Sequence, residues 1–485
     1  MNTRSPMTKF IKTAIVSLIG IVATLVARHY WHNRLELGPE TTVLISPLTP
    51  EGLPDYFGEL NREARVGVTP ENNAAVVLLQ MLDENPYRPE QMRLLFEELQ
   101  LVPDSDSPRL QTIIDFVRDG VDRDVDRDNA VESLLRAHRA QARSKPWRTG
   151  AYPELEQWIA SNDAVIPGLI EGSRRPRYYV PLSRGSLQIG GWERLEELHR
   201  EAHSLLLAKS MRELGEGHAG PAGEAAMAAL RWARLLNFSM AQEDTLQSWA
   251  NWSIATFALA QVLDRPEAGP FLDTWEVEFL ALCDRPHMAD VQNRVGRFKW
   301  LHQIVGTADA DGMYWPSVNK SLRTINRDID RFVLVLRCPT YQEREMSLYA
   351  LLPMSASPPS PPTAADMRQF DEMLRLYEQI HSRHSRMQVR DRLLELKFSV
   401  AKYHRDHHSW PKDLAELMPD YLTKILNDPY SETPQWIYRR KELGMELYSP
   451  GPNGEDESDD PANSEANDDI GLYDRFSAQP VDAVD

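Results

Sequence analysis

The middle of the chain carries a helical repeat of apolar residues, and this periodicity limits the fold more than any other feature. Between residues 192 and 305, apolar residues recur every three or four positions, as on one face of an α-helix. The recurring positions are Trp192, Leu195, Leu198, Ala202 and Leu205, then Ala226, Leu230, Ala233 and Leu236, then Trp249, Trp252, Ala255, Leu259 and Val262. The breaks GEGHAGPAGE and DRPEAGP are short and contain Gly and Pro. The pattern predicts amphipathic helices packed side by side, with a solenoid-like stack as one arrangement.

Length and charge limit the number of folded units and the class of ligand. A chain of 485 residues exceeds what one hydrophobic core usually serves, so we expect two or three folded units. The net charge of -18 repels phosphate backbones and argues against nucleic acid as a partner. Two cysteines, Cys283 and Cys338, exclude a disulfide framework and a four-cysteine zinc site, but they leave open one bridge or two free thiols.

Composition divides the chain into segments. Residues 35–70 are rich in Pro, Gly and Glu and are interpreted as a spacer, and residues 71–352 as an α-helical body. The linker PMSASPPSPPTAAD, residues 353–366, interrupts helix and sheet alike, because proline fixes φ and lacks an N–H donor. Residues 367–476 predict a small α+β domain: a long helix, a short helix, a short antiparallel sheet and an acidic loop. Residues 477–485 are a tail.

The N-terminal sequence favours a membrane anchor. An apolar run from about Ile11 to Ala27, flanked by Arg4 and Lys9, would span roughly 25 Å as a helix. Residues 1–34 are therefore predicted to be a cytoplasmic tip and a single transmembrane helix in the inner membrane, with the bulk of the chain extracytoplasmic. A cleaved signal peptide is the alternative, although Leu25 occupies the place of the small residue that cleavage after Ala27 would need.

The stretch LYSPGPNGEDESDDPANSEANDDI, residues 447–470, crowds carboxylates between two apolar ends. From Leu443 to Asp485 there are twelve acidic residues and one arginine, so -11 of the net charge of -18 lies there. Calcium takes six to eight oxygen ligands, which Asn, Ser and clustered carboxylates in a loop can supply. A solvated acidic loop is the alternative, since most runs of like charge are simply exposed.

Four stretches near the C-terminus resemble a known domain in their residue sequence and in their order along the chain. They are YHRDHHSWPKDLAELMPDYL, NDPYSETPQWIYRR, LYSPGPNGEDESDD and NDDI, between residues 403 and 470. Together they resemble the C-terminal globular domain of the major pseudopilin of type II secretion, and related domains at the ends of membrane-anchored bacterial proteins. The resemblance extends from about Leu393 to Ile470 and covers roughly a sixth to a quarter of the chain.

The resemblance implies a structural calcium ion in the loop after the last strands. The matching positions are Ser449, Asn453, Asp456, Asp468 and Asp469. Asn453 stands where the family usually has a carboxylate, and the insert before NDDI is long. The start MNTRSPMTKFIKTAIVSLIG also lacks the processed leader of true pseudopilins, so a fibre-forming pilin is not expected.

The sequence HREAH is the best candidate for a catalytic site. His199 and His203 are four residues apart, but Glu201 lies two residues after the first histidine and points about 200° round a helix, unlike the glutamate of H-E-x-x-H zinc proteases. Core or surface histidines are the favoured interpretation. A metal role is equally disfavoured for a second group of histidines: His381, His384, His404, His407 and His408. DADG and VDRDVDRDNA lack the glycine and glutamate of an EF-hand.

These observations predict a non-enzymatic, membrane-anchored interaction or scaffold protein with a structural calcium site and unidentified protein partners. No G-x-S-x-G, Walker or Rossmann glycine motif is present in the sequence. An extracytoplasmic hydrolase with its site around His199, His203 and Glu201 is the first alternative. A component of a secretion system is the second.

Overall fold

The computed structural model describes residues 20–22, 24, 34–82, 89–102, 107–120, 133, 136–182, 190–239, 242–310, 315–351, 364–441, 444–457 and 468–472. The chain forms two compact units. The first consists of Met1–Glu59 and Val291–Val333, and the second of Leu60–Asp290 and Leu334–Asp485. Each unit is thus assembled from segments that are distant in sequence.

The described residues are mainly helical. In chain order the α-helices are α1 (Tyr56–Ala64), α2 (Ala74–Gln80), α3 (Pro89–Glu98), α4 (Ile113–Gly120), α5 (Pro153–Ser161), α6 (Ile166–Ser173), α7 (Gly190–Gly215), α8 (Ala219–Leu236), α9 (Gln242–Leu263), α10 (Leu272–Cys283), α11 (Met288–Val291), α12 (Arg297–Ala310), α13 (Trp315–Leu336), α14 (Tyr341–Leu351) and α15 (Ala364–His407). Short 3₁₀-helices precede α10 (Pro266–Phe271) and follow α15 (Leu414–Leu417), and a π-helical turn (Gln292–Gly296) follows α11.

The first unit is organised around a buried aromatic pair and polar side chains that bind main-chain carbonyls. The ring of Tyr56 is buried and lies 5.1 Å from that of Phe298, centroid to centroid. The Tyr56 hydroxyl donates to the Thr42 carbonyl at 2.8 Å, and Asn326 Nδ2 donates to the Thr41 carbonyl at 2.6 Å. Because buried carbonyls need donors, these bonds fix the irregular segment that precedes α1.

The core of the second unit is built on α8, a helix of mostly small apolar residues. α8 packs against α6, α7 and α9. Trp232 is buried at this contact and donates from Nε1 to the Leu169 carbonyl at 2.9 Å. Gly223 permits the approach of α10, because a Cβ there would lie 2.1 Å from Cη2 of Trp275. Small residues therefore set how closely these helices approach.

The longest helix, α15, joins the helical core to the C-terminal sheet. Its 44 residues extend over about 66 Å. It packs against α9 and α10, and also against the C-terminal strands. Lys402 on α15 forms ion pairs with Asp273 at 2.9 Å and Glu276 at 2.5 Å, both on α10. Buried Lys397 forms an ion pair with Asp264.

The C-terminal sheet has three antiparallel strands in the order β1 (Ile437–Lys441), β2 (Gly444–Ser449), β3 (Ile470–Gly471). The register pairs Ile437 with Tyr448 across β1 and β2, and Ser449 with Ile470 across β2 and β3. β2 and β3 are the strands that contact α15. The acidic stretch thus begins at one buried strand and returns as the next.

The predicted membrane anchor is corrected by the structure. Of residues 11–27, only 20–22 and 24 belong to the described part, where the backbone is helical. No helix in the described residues is long and apolar enough to cross a membrane. The longest helices, α7 and α15, carry charged residues throughout their length, because they are amphipathic core helices. The transmembrane helix and the single-pass inner-membrane location are therefore not retained.

Candidate metal centre

The acidic loop folds back to β2 and brings three carboxylates together. Residues 450–457 lead away from β2, and residues 468–469 lead into β3, which pairs with the same strand. Within the described ranges, carboxylate oxygens of Glu457, Asp468 and Asp469 all lie within 4.8 Å of one another. Asp469 is 3% exposed, and the other two are half-buried. We call these three residues the carboxylate cluster.

Hydrogen bonds within the loop fix the orientation of the cluster. The Asn453 main-chain N–H donates to Asp468 Oδ2 at 3.2 Å, and Asn453 Nδ2 donates to Glu457 Oε1 at 2.8 Å. The Asp468 N–H donates to Glu457 Oε2 at 2.9 Å. Asp468 Oδ1 is buried and has no hydrogen-bond partner in the described structure. The loop therefore holds the carboxylates in place, and the buried Oδ1 of Asp468 accepts no hydrogen bond in the described structure.

Gly451 allows the two halves of the loop to touch. Its φ of +70° lies in the left-handed region that favours glycine. A Cβ at this position would lie 2.3 Å from the main-chain oxygen of Asp468 and 2.9 Å from Asp468 Oδ1. Any larger residue would push residue 468 away from the turn. In the sequence PGPNG, Gly451 thus occupies a position where a side chain would collide with residue 468.

The remaining residues predicted from the sequence take other positions. Asp456 accepts hydrogen bonds from Arg439 Nη2 at 2.5 Å and from the Tyr448 hydroxyl at 2.8 Å, so a cation already faces its carboxylate. Ser449 is buried and its Oγ accepts from the Gly451 N–H at 3.0 Å. Asp468 and Asp469 lie in the cluster, Asn453 bonds to it, and Asp456 and Ser449 brace the loop around it.

Glu457 belongs to the cluster but was missed by reasoning from the sequence. It lies in the run GEDESDD, where adjacent acids cannot be told apart by spacing. Glu455, two residues earlier, instead has its N–H bound to Asn453 Oδ1 at 2.7 Å. Only the fold of the turn decides which carboxylate faces residues 468 and 469. The resemblance offered no signal either, because its pattern points to the preceding position.

Burial and like charges make the cluster costly when it is ionised. Burial, reinforced by Asp456, Glu457 and Asp468, raises the pKa of Asp469 to about 7. Burial, together with Glu457, also raises the pKa of Asp468, although Arg386 acts in the opposite direction. A raised carboxyl pKa means that the anionic form is disfavoured in the folded protein. A bound cation would remove this penalty.

The histidines of HREAH form part of the core of the second unit. His199 and His203 are both buried, and burial lowers the pKa of each to about 3. His199 Nε2 lies 2.9 Å from the Tyr178 hydroxyl. Glu201 forms an ion pair with Arg139 at 2.6 Å. The histidines are neutral packing residues, and the glutamate is already paired, so this geometry does not favour a hydrolytic site. The side chain of Trp192 lies outside the described part.

The histidines at the C-terminal end of α15 pack on aromatic rings. His404 stacks on Trp410 with ring centroids 4.1 Å apart, and His407 lies 4.2 Å from the Tyr403 ring. VDRDVDRDNA and the second half of DADG lie outside the described residues. Cys283 and Cys338 are free thiols, and burial raises the pKa of Cys283. Aromatic packing thus accounts for the histidines at the end of α15.

The order of elements around the carboxylate cluster is a long helix, a 3₁₀ turn, a hairpin and a returning third strand. No protein-family model, curated protein or solved structure matches this chain.

Proposed function

We propose that the carboxylate cluster binds one calcium ion, which stabilises the C-terminal sheet of a non-enzymatic interaction or scaffold protein. The observation that carries the proposal is the approach of three carboxylates within 4.8 Å in a loop whose own hydrogen bonds orient them. Glu457 would supply a ligand from the outgoing side of the loop, and Asp468 and Asp469 from the returning side.

Electrostatics supports a cation at this position. Three carboxylates so close together repel one another, and the repulsion grows as water is excluded. In the described part of the loop, the guanidinium of Arg439 pairs with Asp456, which lies outside the carboxylate cluster. Asp469 is the most buried member, and its pKa is raised to about 7. A divalent ion would offset the repulsion and favour the ionised form.

Ligand chemistry supports calcium rather than a transition metal. The cluster offers only oxygen ligands, whereas zinc and copper prefer nitrogen and sulfur. Calcium also tolerates irregular geometry and accepts carbonyl oxygens and water, which a loop can add to the three carboxylates. The resemblance of residues 403–470 to the calcium-binding pseudopilin domain is a separate reason for the same choice.

The role of such an ion would be structural. β3 contains two residues and pairs with β2 only at Tyr448–Gly471 and Ser449–Ile470. A strand this short contributes little on its own. An ion held between residue 457 and residues 468–469 would close the loop and keep β3 on the sheet. Protein partners would bind to the helices of the second unit.

The proposal is tested by thermal unfolding of the full chain in calcium and in chelator. A ligand that binds only the folded state raises the melting temperature in proportion to the logarithm of its concentration over its dissociation constant. We expect calcium at about 100 times that constant to stabilise the chain by about 2.7 kcal/mol. The variant Asp469→Asn should lose this response.

Asp420→Asn is the matched control, because Asp420 is an exposed acid in the same part of the chain. It should respond to calcium as the unmodified chain does. Equal melting temperatures in calcium and chelator would refute the site. An equal response to magnesium would refute the choice of calcium.

A further inference from the structure

A second polar cluster lies between α14 and α15 and consists of basic groups. Arg344 on α14 is 5% exposed, and His381 on α15 is 7% exposed. Arg344 Nη2 lies 3.4 Å from the hydroxyl of fully buried Ser385, one turn after His381 on α15. His384 lies beside them on the same helix. We call Arg344, His381, His384 and Ser385 the basic cluster.

Three nitrogens of the basic cluster are buried without a hydrogen-bond partner in the described structure. They are Arg344 Nε, His381 Nε2 and His384 Nδ1. Buried polar atoms in native proteins are almost always paired, so three in one cluster require an explanation. A neutral histidine can place its proton on either nitrogen, and each ring can therefore present a donor at the unpaired position. All three groups can donate, and a guanidinium cannot accept.

The guanidinium of Arg344 binds carbonyl and hydroxyl oxygens and forms no direct ion pair among the described residues. Its Nη1 donates to the carbonyls of Cys338 at 3.0 Å and Pro339 at 3.5 Å, and its Nη2 bond to Ser385 is long. No described carboxylate forms an ion pair with it. Burial and the Arg344 charge lower the pKa of His381 to about 4. The cluster is thus a buried positive site whose histidines are kept neutral by burial and, to a smaller extent, by the charge of Arg344.

The basic cluster is bordered by side chains that are only half-buried. Tyr341 packs on the His381 ring at 4.7 Å between centroids, and both Tyr341 and His384 are half-buried. The cluster therefore lies just beneath the surface. Its four donor groups come from two helices and three kinds of side chain. A phosphate offers four oxygens to these four donor groups, whereas a carboxylate offers two.

We propose that the basic cluster binds a phosphate-class oxyanion, held by Arg344 Nε, His381 Nε2, His384 Nδ1 and the Ser385 hydroxyl. The anion would supply the acceptors that the three unpaired nitrogens lack and would balance the guanidinium charge. The site shares no residue with the carboxylate cluster and would bind a ligand of the opposite charge. It would equip this surface to recognise a phosphate group, free or carried by a larger molecule.

The test is calorimetric titration of the full chain with inorganic phosphate at pH 7, at constant ionic strength and in chelator to exclude calcium phosphate. We expect saturable binding with one phosphate per chain. The melting temperature should rise by about 1–2 °C once phosphate reaches about ten times its dissociation constant. Arg344→Gln should weaken binding about tenfold or more, because a charge-assisted hydrogen bond is lost.

His381→Phe is a second variant that keeps the ring against Tyr341 and removes Nε2, so it tests the site even if Arg344→Gln fails to fold. It should also weaken phosphate binding. Arg174→Gln removes the same charge from a half-exposed ion pair with Glu171 and Glu224 and should leave binding unchanged. Absence of saturable binding to the unmodified chain would overturn the proposal. Unchanged affinity in folded Arg344→Gln or His381→Phe would overturn it as well.

Discussion

Single residues in the acidic loop are distinguished by backbone conformation and by the space around them. Gly451 and Gly454 share nearly the same positive φ, +70° and +71°. A Cβ on Gly451 would meet the Asp468 main chain at 2.3 Å, whereas a Cβ on Gly454 would find nothing nearer than Gln435 Oε1 at 3.8 Å. Substitutions at the two glycines can therefore separate the effect of backbone strain from the effect of a steric collision.

Gly451→Ala should cost more stability than Gly454→Ala. Both replacements strain a left-handed backbone, at about 1 kcal/mol each, and only the first also displaces residue 468. We expect Gly451→Ala to weaken calcium binding markedly and Gly454→Ala to leave it nearly unchanged, both measured by titration of the full chain. Equal calcium affinity in the two variants would show that contact between residues 451 and 468 does not shape the site.

Helices of the second unit are connected by a buried ion pair as well as by apolar packing. Arg285, just after α10, pairs with Asp391 on α15, and both side chains are largely buried. Trp252 Nε1 donates to Asp391 Oδ1 at 2.7 Å, and the Arg285 guanidinium lies 4.3 Å from the Trp252 ring centroid. Burial raises the pKa of Asp391 even though Arg285 opposes the shift. The ionised carboxylate of Asp391 therefore depends on Arg285 for its stability.

Arg285→Gln should destabilise the chain by about 3–5 kcal/mol, because it leaves a buried carboxylate without its cation. Arg337→Gln, which breaks an ion pair with Asp290 in which both side chains are more than half exposed, should cost less than about 1 kcal/mol. Urea unfolding of the two variants measures the difference. A similar loss in both would mean that the buried pair does not contribute as described.

The sequence predicted helices where an apolar face repeats, and it could not predict contacts between distant segments. The periodic stretches near Leu198, Leu230 and Leu259 lie in α7, α8 and α9. Burial of one face of a helix produces a repeat of apolar residues that can be seen in the local sequence. The alternation in QWIYRRK and GMELYS likewise falls on β1 and β2. No local pattern indicates that residues 291–333 associate with the first 59 residues. Glu457 was missed for the same reason, since its partners follow a long insert.

At the scale of the whole molecule, buried histidines make stability depend on pH. Burial lowers the pKa of His199 and His203 to about 3, from 6.5 in the unfolded chain. Their contribution is complete above pH 6.5 and is lost as the pH falls, because the unfolded chain then binds protons that the folded chain does not. Asp469 affects stability in the opposite sense. Because its pKa is raised to about 7, the folded chain holds a proton that the unfolded chain loses, and its contribution makes stability fall as the pH rises toward 7.

His203→Leu isolates one of these contributions. Between pH 6 and pH 5, the free energy of unfolding of the unmodified chain should fall by about 1 kcal/mol more than that of the variant, because each such histidine contributes up to 1.4 kcal/mol per pH unit. Urea unfolding at both pH values, in chelator, gives the two slopes. Parallel pH profiles would contradict a neutral, buried His203.

The central claim is the calcium ion in the carboxylate cluster, and calorimetric titration of the full chain with calcium tests it most directly. The account predicts one calcium per chain and loss of that binding when Asp468 and Asp469 are both replaced by asparagine. The absence of binding heat at every temperature tried, or the same binding in the double variant, would contradict it and identify the acidic loop as a solvated run of charge.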